Sequence, residues 1–202
     1  MKPTTAFLLL NGAAPKHLPN LKEYSLVCAI DGGYNHLRKM GIEPHLVTGD
    51  FDSIIDKPEH IEVIHTPDQN FTDFEKALQI LQHKNITEVH VYGGSGKEHD
   101  HFLGNISTAL QWKQKLNITF FDDYGRYYFI ENNFEINNIK NSTVSLIPFP
   151  FATEIETTGL LYPLNKEKLV FGERIGTRNK AKDDTIKINF KEGSLLIYIS
   201  HK

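Results

Sequence analysis

The chain has 202 residues, 40% of them hydrophobic, with Lys+Arg 22 against Asp+Glu 25 and a formal net charge of -3. That length can bury a real core, as one large domain or two small ones, and the lack of any basic run argues against nucleic acid as a partner. No stretch approaches the roughly 18 consecutive apolar residues of a membrane span, the opening "MKPTTAFLLLNGAAP" is too poor in apolar residues for a secretory leader, and the single cysteine precludes an internal disulfide, so a soluble, cytoplasmic protein is expected.

In chain order, "AFLLL", "SLVCAI", "HLVTG", "IEVIH", "EVHVYG" and "NITFFD" are short apolar runs that predict strands. Cys28, inside the second, has the setting of a buried strand residue rather than an activated thiol. Between the fourth and fifth runs, "FTDFEKALQILQHK" repeats Phe74, Ala77, Leu78 and Leu81 at helical spacing. Thr72 with Glu75 makes a capping box, so a helix is expected to start at Thr72 or Asp73. A second helix is expected over "HDHFLGNISTALQWKQKL", with Leu103, Ile106, Ala109 and Leu110 on its apolar face. Strands alternating with helices imply an α/β unit, residues 1–122, built on a mainly parallel, Rossmann-like sheet covered by helices.

After "FFDDYGR" the helical periodicity stops. "RYYFIE", "NFEI", "STVSLIPF", "ATEIETTGLLYPL", "KLVFG" and "DTIKINFKEGSLLIYIS" are β-rich runs divided by Pro, Gly and Asn, and the last predicts a hairpin turning at Lys191 to Ser194. Residues 123–202 are therefore expected to form a smaller, all-β, antiparallel, sandwich-like unit.

Loops at the carboxyl ends of parallel strands line the ligand crevice of an open sheet. Four such ends carry acids: Asp31 in "AIDGG", Asp50 and Asp52 in "VTGDFDS", Asp68 and Asp73 in "TPDQNFTD", and Asp100 in "VYGGSGKEHDH". Any one of these is ordinary turn or helix-cap chemistry. Together, like charges on one rim repel, and a divalent cation relieves that cost. Mg2+ suits the set because it takes hard oxygens, usually one or two carboxylates with water and phosphate oxygens.

"GGSG", Gly93 to Gly96, lies between a strand and a helix, where bare N–H groups and the helix dipole attract anions. It is not a P-loop, since "GGSGKE" has no Ser or Thr after Lys97, and "IDGG" lacks the spaced triplet of a dinucleotide fingerprint. "HDH", residues 99–101, has no second His pair to complete a zinc site; no G-x-S-x-G elbow is present, and Ser53 is more simply a cap after Asp52.

"DGG", "GDFDS", "TPDQNFTDFEKAL" and "GGSGKEHDHFLGN", in this order and roughly this spacing, resemble the thiamine pyrophosphokinase family. "VSLIPF", "TTGLLYPL" and "GTRN" resemble that family's β domain, so the resemblance spans nearly the whole chain. It implies an enzyme that transfers a diphosphoryl group from ATP to the hydroxyethyl oxygen of thiamine and releases AMP. It implies Mg2+ and triphosphate at Asp50, Asp52 and Asp73, nucleotide contacts at Gln69 and Thr72, an acid at Asp100, and a cleft lined by Asp31, Gly32 and Gly33. It further implies a homodimer with active sites at the subunit interface, Thr177 and Asn179 approaching thiamine from across it.

Two positions depart from the family pattern. Where G-G-R-x-D-H carries Arg, this chain has Glu98, and Lys97 is the substitute cation; where Ser precedes the asparagine, it has Arg178, and Thr177 is the nearest hydroxyl. The proton acceptor stays open between Asp73 and Asp100. The residues also leave open a related diphosphokinase for another hydroxymethyl heterocycle such as a pterin, a non-catalytic nucleotide or thiamine sensor, and a metal-dependent phosphohydrolase.

Overall fold

The computed structural model describes residues 4–51 and 60–201. The chain divides into two compact units, Met1–Asp123 and Tyr124–Lys202.

The first unit holds six strands, β1 (Thr5–Leu9), β2 (Leu26–Ile30), β3 (Leu46–Gly49), β4 (Glu62–His65), β5 (Glu88–Tyr92) and β6 (Asn117–Phe121). They lie in the order β4-β3-β2-β1-β5-β6, each neighbouring pair parallel. Period-2 geometry explains why the inner runs are apolar throughout, since helices cover both faces. Phe7 and Leu9 of β1 join Val27, Ala29, Val47 and Tyr92 against Tyr34 and Leu37 of helix α1 (Gly32–Lys39). Helix α2 (Asp73–His83) packs on β2 and β3 and buries Phe74, Ala77, Leu78 and Leu81, the face its spacing predicts. Thr72 caps it as expected, with Glu75 N donating to Thr72 Oγ1 at 3.1 Å, a contact typically contributing about 1 kcal/mol, while the reciprocal half of the capping box is replaced by the Glu75 carboxylate accepting from Trp112.

Two features of this unit differ from the sequence reading. Helix α3 (His99–Trp112) buries Ile106, Thr108, Ala109 and Trp112 while Leu103 is 62% exposed, so its inner face is rotated toward the indole. Trp112 is the heavier anchor, and its Nε1 donates to Glu75 Oε1 of α2 at 3.4 Å. Helix α1 has no strong periodic signal and opens on two glycines, poor helix formers. Tertiary contact selects them: a Cβ at Gly33 would lie 2.4 Å from Leu9 O, and one at Gly32 would lie 2.2 Å from Asn11 Oδ1.

Cys28 is fully buried in β2, and burial pushes its thiol well above the usual cysteine range. A thiol-specific reagent at pH 8 is expected to label it only under unfolding conditions, because the thiolate is the reactive form. Stoichiometric labelling of the native protein would contradict that burial.

The second unit is antiparallel. Its organising element is β9 (Thr143–Thr158), a single 16-residue strand that joins two of the predicted runs through Pro148 and a cis peptide at Phe149–Pro150. Between Thr143 and Ile155 β9 pairs with β10 (Glu167–Val170), β11 (Gly176–Lys180) and β13 (Glu192–Ser200), and β13 pairs in turn with β7 (Gly125–Ile130). Its far end, Glu156 to Thr158, pairs with β12 (Ile186–Asn189), which also pairs with β8 (Asn133–Ile136). Val144, Leu146, Ile155, Leu169, Ile186, Ile188, Leu195 and Ile197 make the core between these segments.

The predicted final hairpin is not formed. β12 and β13 are consecutive but pair with different parts of β9, because the link between them is bonded elsewhere: Phe190 N to Asn132 O at 3.2 Å and Lys191 N to Thr153 O at 2.9 Å. Gly193, with φ of 97°, marks a register shift in the β13–β9 ladder rather than a reversal. A glycine between two apolar runs serves a bulge as readily as a turn.

Candidate active site

The chain runs outward from β1 to β4 and then returns to β5 on the other side of β1, so the order reverses between β1 and β5. In open α/β sheets a crevice opens at such a switch point, beyond the carboxyl ends of the strands. The loops after β1, β2, β3, β4 and β5 all begin there.

Asp31 follows β2 and is buried. Its Oδ1 accepts from Phe51 N at 3.0 Å, and its own N donates to Thr48 O at 3.1 Å. Both partners of the first bond are in the left-handed region, Asp31 at φ of 41° and Phe51 at φ of 68°. Such conformations cost of order 1–3 kcal/mol each and persist where surrounding contacts impose them. The carboxylate of Asp31 thus clamps the turn on which Asp50 stands.

After β4, the loop Thr66–Thr72 is organised around a buried lysine of α2. Lys76, 6% exposed, donates to Thr66 O at 2.7 Å and Asp68 O at 3.0 Å, and its Nζ lies 2.7 Å from Asp73 Oδ1. Asp68 folds the tip, its Oδ1 accepting from Asn70 N at 2.9 Å. Gln69 Nε2 reaches Asp50 Oδ2 at 3.4 Å, a long contact that brings the β3 and β4 loops side by side. Asp50, Gln69, Thr72 and Asp73 are therefore on neighbouring loops; Asp52 and Ser53 lie outside the described residues.

The glycine loop after β5 is bound to the loop after β1. Gly12 N donates to Gly93 O at 2.8 Å, Ala13 N to Ser95 O at 2.7 Å, and Asn105 Nδ2 of α3 to Gly94 O at 3.0 Å. Lys97 Nζ donates to Asn11 Oδ1 at 3.1 Å. Glu98, at the N-cap of α3, makes no side-chain cap and turns to His101 Nε2 at 3.6 Å, both side chains about three-quarters exposed. Asp100 is exposed in the first turn, its Oδ1 accepting from His101 N at 2.8 Å.

In the β unit, Thr177 and Asn179 stand on β11. Thr177 is exposed, whereas the Asn179 amide is engaged with the main chain of Tyr162, accepting from its N at 3.1 Å and donating to its O at 2.7 Å. Arg178 has φ of 57° and its N donates to Ser145 Oγ at 3.0 Å, within a register shift of the β11–β9 ladder.

Four contributors escaped the sequence reading: Asn11, Gly12, Lys76 and Asn105. For Asn11 and Gly12 a signal existed, since "LLLNGA" is a strand end like the other four. Lys76 had none beyond standing three residues after Asp73.

Among the described residues, no group of three or more His, Cys, Asp or Glu is gathered to hold a metal. The chemistry of the donors nonetheless fits Mg2+. Asp73 keeps an accessible carboxylate oxygen, its side chain being 36% exposed although Oδ1 is shielded beside the Lys76 ammonium with no donor aligned on it as a hydrogen bond, and the nearby groups are hard oxygens.

The family model described as thiamin pyrophosphokinase, catalytic domain, matches residues 19–120, and that of the thiamin pyrophosphokinase vitamin B1 binding domain matches residues 131–195. The chain belongs to the thiamine pyrophosphokinase family. Thiamine pyrophosphokinase of Bacillus subtilis is 29% identical over 199 residues, 91% of this chain and 93% of the relative, and thiamin pyrophosphokinase 1 of Caenorhabditis elegans is 29% identical over 188 residues, 84% and 76%. The crystal structure of the Bacillus subtilis thiamine pyrophosphokinase matches with a TM-score of 0.83 at 25% identity, covering 98% of this chain and 99% of that one. The thiamin pyrophosphokinase of Candida albicans shares the fold at a TM-score of 0.86, with 16% identity over 100% and 90% of the two chains. Among the described residues no helix is long and apolar enough to cross a membrane.

Proposed function

We propose that the chain is a cytoplasmic enzyme that transfers the diphosphoryl group of ATP to the hydroxyethyl oxygen of thiamine, forming thiamine diphosphate and AMP. The observation that carries this is the pair of family matches, a catalytic model on the parallel α/β unit and a vitamin B1 model on the β unit. The thiamine oxygen attacks the β-phosphorus, the bond from that phosphorus to the α-phosphate bridging oxygen breaks with AMP as leaving group, and the hydroxyl proton goes to a base. Asp50, Asp52 and Asp73 would hold Mg2+, which when bound neutralises phosphate charge in the transition state.

The chain's own residues supply the rest. Asp31 fixes the Asp50 turn, and Gly32 and Gly33 pack α1 closely against the end of β1 and Asn11. Gln69 and Thr72 present the β4 loop to the nucleotide. The glycine loop and the first turn of α3 offer main-chain donors to phosphate, with Lys97 beside them. With Asp73 engaged by Lys76, Asp100 is the proposed proton acceptor. Thiamine is read by the β unit through Thr177, Asn179 serving to hold the Tyr162 segment, and the working form is a homodimer with its sites at the subunit interface.

Incubation with Mg2+, ATP and thiamine, with products resolved chromatographically, tests the reading. AMP and thiamine diphosphate in equal amounts are expected; phosphate release independent of thiamine, turnover of a pterin alcohol instead, or binding without turnover would replace it.

Lys97 and Glu98 give a second test. Lys97→Ala is expected to raise the KM for Mg-ATP by about tenfold or more, the value of a charge-assisted contact, while Glu98→Ala changes it by less than about twofold. A Glu98→Ala enzyme that needs far more Mg2+ would instead place Glu98 in the metal shell.

A further inference from the structure

We infer that Lys76 is a positioning residue that sets the metal selectivity of the site, by holding oxygens that a larger cation would otherwise recruit. The inference rests on the reading of Asp73 as a Mg2+ ligand. The Lys76 ammonium is a buried cation facing three oxygens of one loop and helix start: Thr66 O at 2.7 Å, Asp68 O at 3.0 Å and Asp73 Oδ1 at 2.7 Å. An ammonium has three donors and no acceptor; two of them go to the carbonyls, and its charge faces the carboxylate oxygen. They also determine what is left over. Asp73 Oδ1 is shielded from solvent while the side chain as a whole is 36% exposed, which puts the accessible carboxylate oxygen at Oδ2.

A carboxylate offered through one oxygen serves Mg2+, which demands a small, nearly octahedral shell and keeps several waters. Ca2+ prefers six to eight oxygens and gains from bidentate carboxylates and main-chain carbonyls. Lys76 withholds both, pairing with one oxygen of the carboxylate and bonding two main-chain carbonyls of the loop before it. Removing the ammonium leaves three hard oxygens together with no cation, a setting suited to the larger ion.

The test is calorimetric titration of the full chain with MgCl2 and, separately, CaCl2, alongside thermal melts in each. Wild type is expected to bind Mg2+ in preference to Ca2+. Lys76→Met is expected to raise the ratio of Ca2+ to Mg2+ affinity by at least about tenfold, with Ca2+ giving the larger rise in melting temperature, and Lys76→Arg to stay near wild type. Lys76→Gln, which keeps donors for the carbonyls but not the charge on Asp73, should shift in the same direction. If the neutral variants fail to fold, Ca2+ should restore folding where Mg2+ does not. An unchanged affinity ratio, or no rescue by Ca2+, overturns the inference while wild-type Mg2+ binding stands. Absence of any Mg2+ binding to wild type, with Asp50→Asn indistinguishable from it, would overturn the metal reading itself.

Discussion

Asp73→Asn is expected to lose at least about 100-fold in turnover and also to melt lower than wild type. The first effect follows from the proposed role of Asp73 as a Mg2+ ligand: removing its charge where phosphate charge must be neutralised is worth several kcal/mol, and each 1.4 kcal/mol is tenfold in rate. Asp50→Asn should match it in turnover for the same reason. The second effect belongs to Asp73 because its carboxylate stands 2.7 Å from an ammonium that is almost entirely buried. Removing one partner of such a pair strands the other charge. Because Asp73 keeps partial contact with solvent and Lys76 keeps its two carbonyls, the loss should be nearer about 1–3 kcal/mol than the full buried-pair figure. For a chain of this length that corresponds to roughly 2–12 °C in melting temperature. The double variant Asp73→Asn/Lys76→Met should melt higher than the sum of the two single losses implies, since the stranded charge is gone. Melts followed by circular dichroism, with product assays on the same samples, check both. Strict additivity would mean that the pair contributes little, and near-normal turnover in both Asp variants would sink the metal assignment.

Gly12→Ala is expected to be as damaging as loss of a ligand, although the residue bears no chemistry. A Cβ at Gly12 would lie 2.1 Å from Gly93 O and 2.5 Å from Ser95 O. Both are main-chain atoms, so no rotamer change relieves the clash, and the β1 and β5 loops must separate. Separation breaks the Gly12 N to Gly93 O and Ala13 N to Ser95 O bonds and moves Lys97 away from Asn11. For loops that seat phosphate as proposed, a displacement of about 1 Å costs on the order of 100-fold in rate. The built-in control is Gly104 of α3, where an added Cβ meets nothing within 4 Å. There the same substitution should stabilise by about 0.5–1 kcal/mol, since Ala is the better helix former. If Gly12→Ala keeps normal kcat and KM for Mg-ATP, the two loops do not act as one phosphate seat.

Local chemistry was legible wherever the code is local. The Thr72 cap, the apolar face of α2 and the strands of the parallel sheet each depend on residues within a few positions of one another, so spacing alone predicted them. Where a residue's partner lies far along the chain, spacing misled or was silent. Leu103 has the right position on a helical wheel but is exposed, because Trp112 and Glu75 decide how α3 sits on α2. Helix α1 forms on glycines because only glycine lets that backbone approach Leu9 and Asn11.

The sequence by itself determined the family, the alternation of strand and helix that makes a parallel sheet, and the placement of Asp31 and Asp50 directly after parallel strands, because motif order and short-range periodicity survive without coordinates. Only the tertiary structure decided the partnerships: β12 and β13 both seeking β9 rather than each other, Asp31 clamping Phe51 across 20 residues, and Lys76 drawn inward beneath the β4 loop. The reason is that hydrogen bonds and buried charges are satisfied by whatever group the fold brings within 3 Å, and that neighbour is set by how sheets and helices pack rather than by distance along the chain.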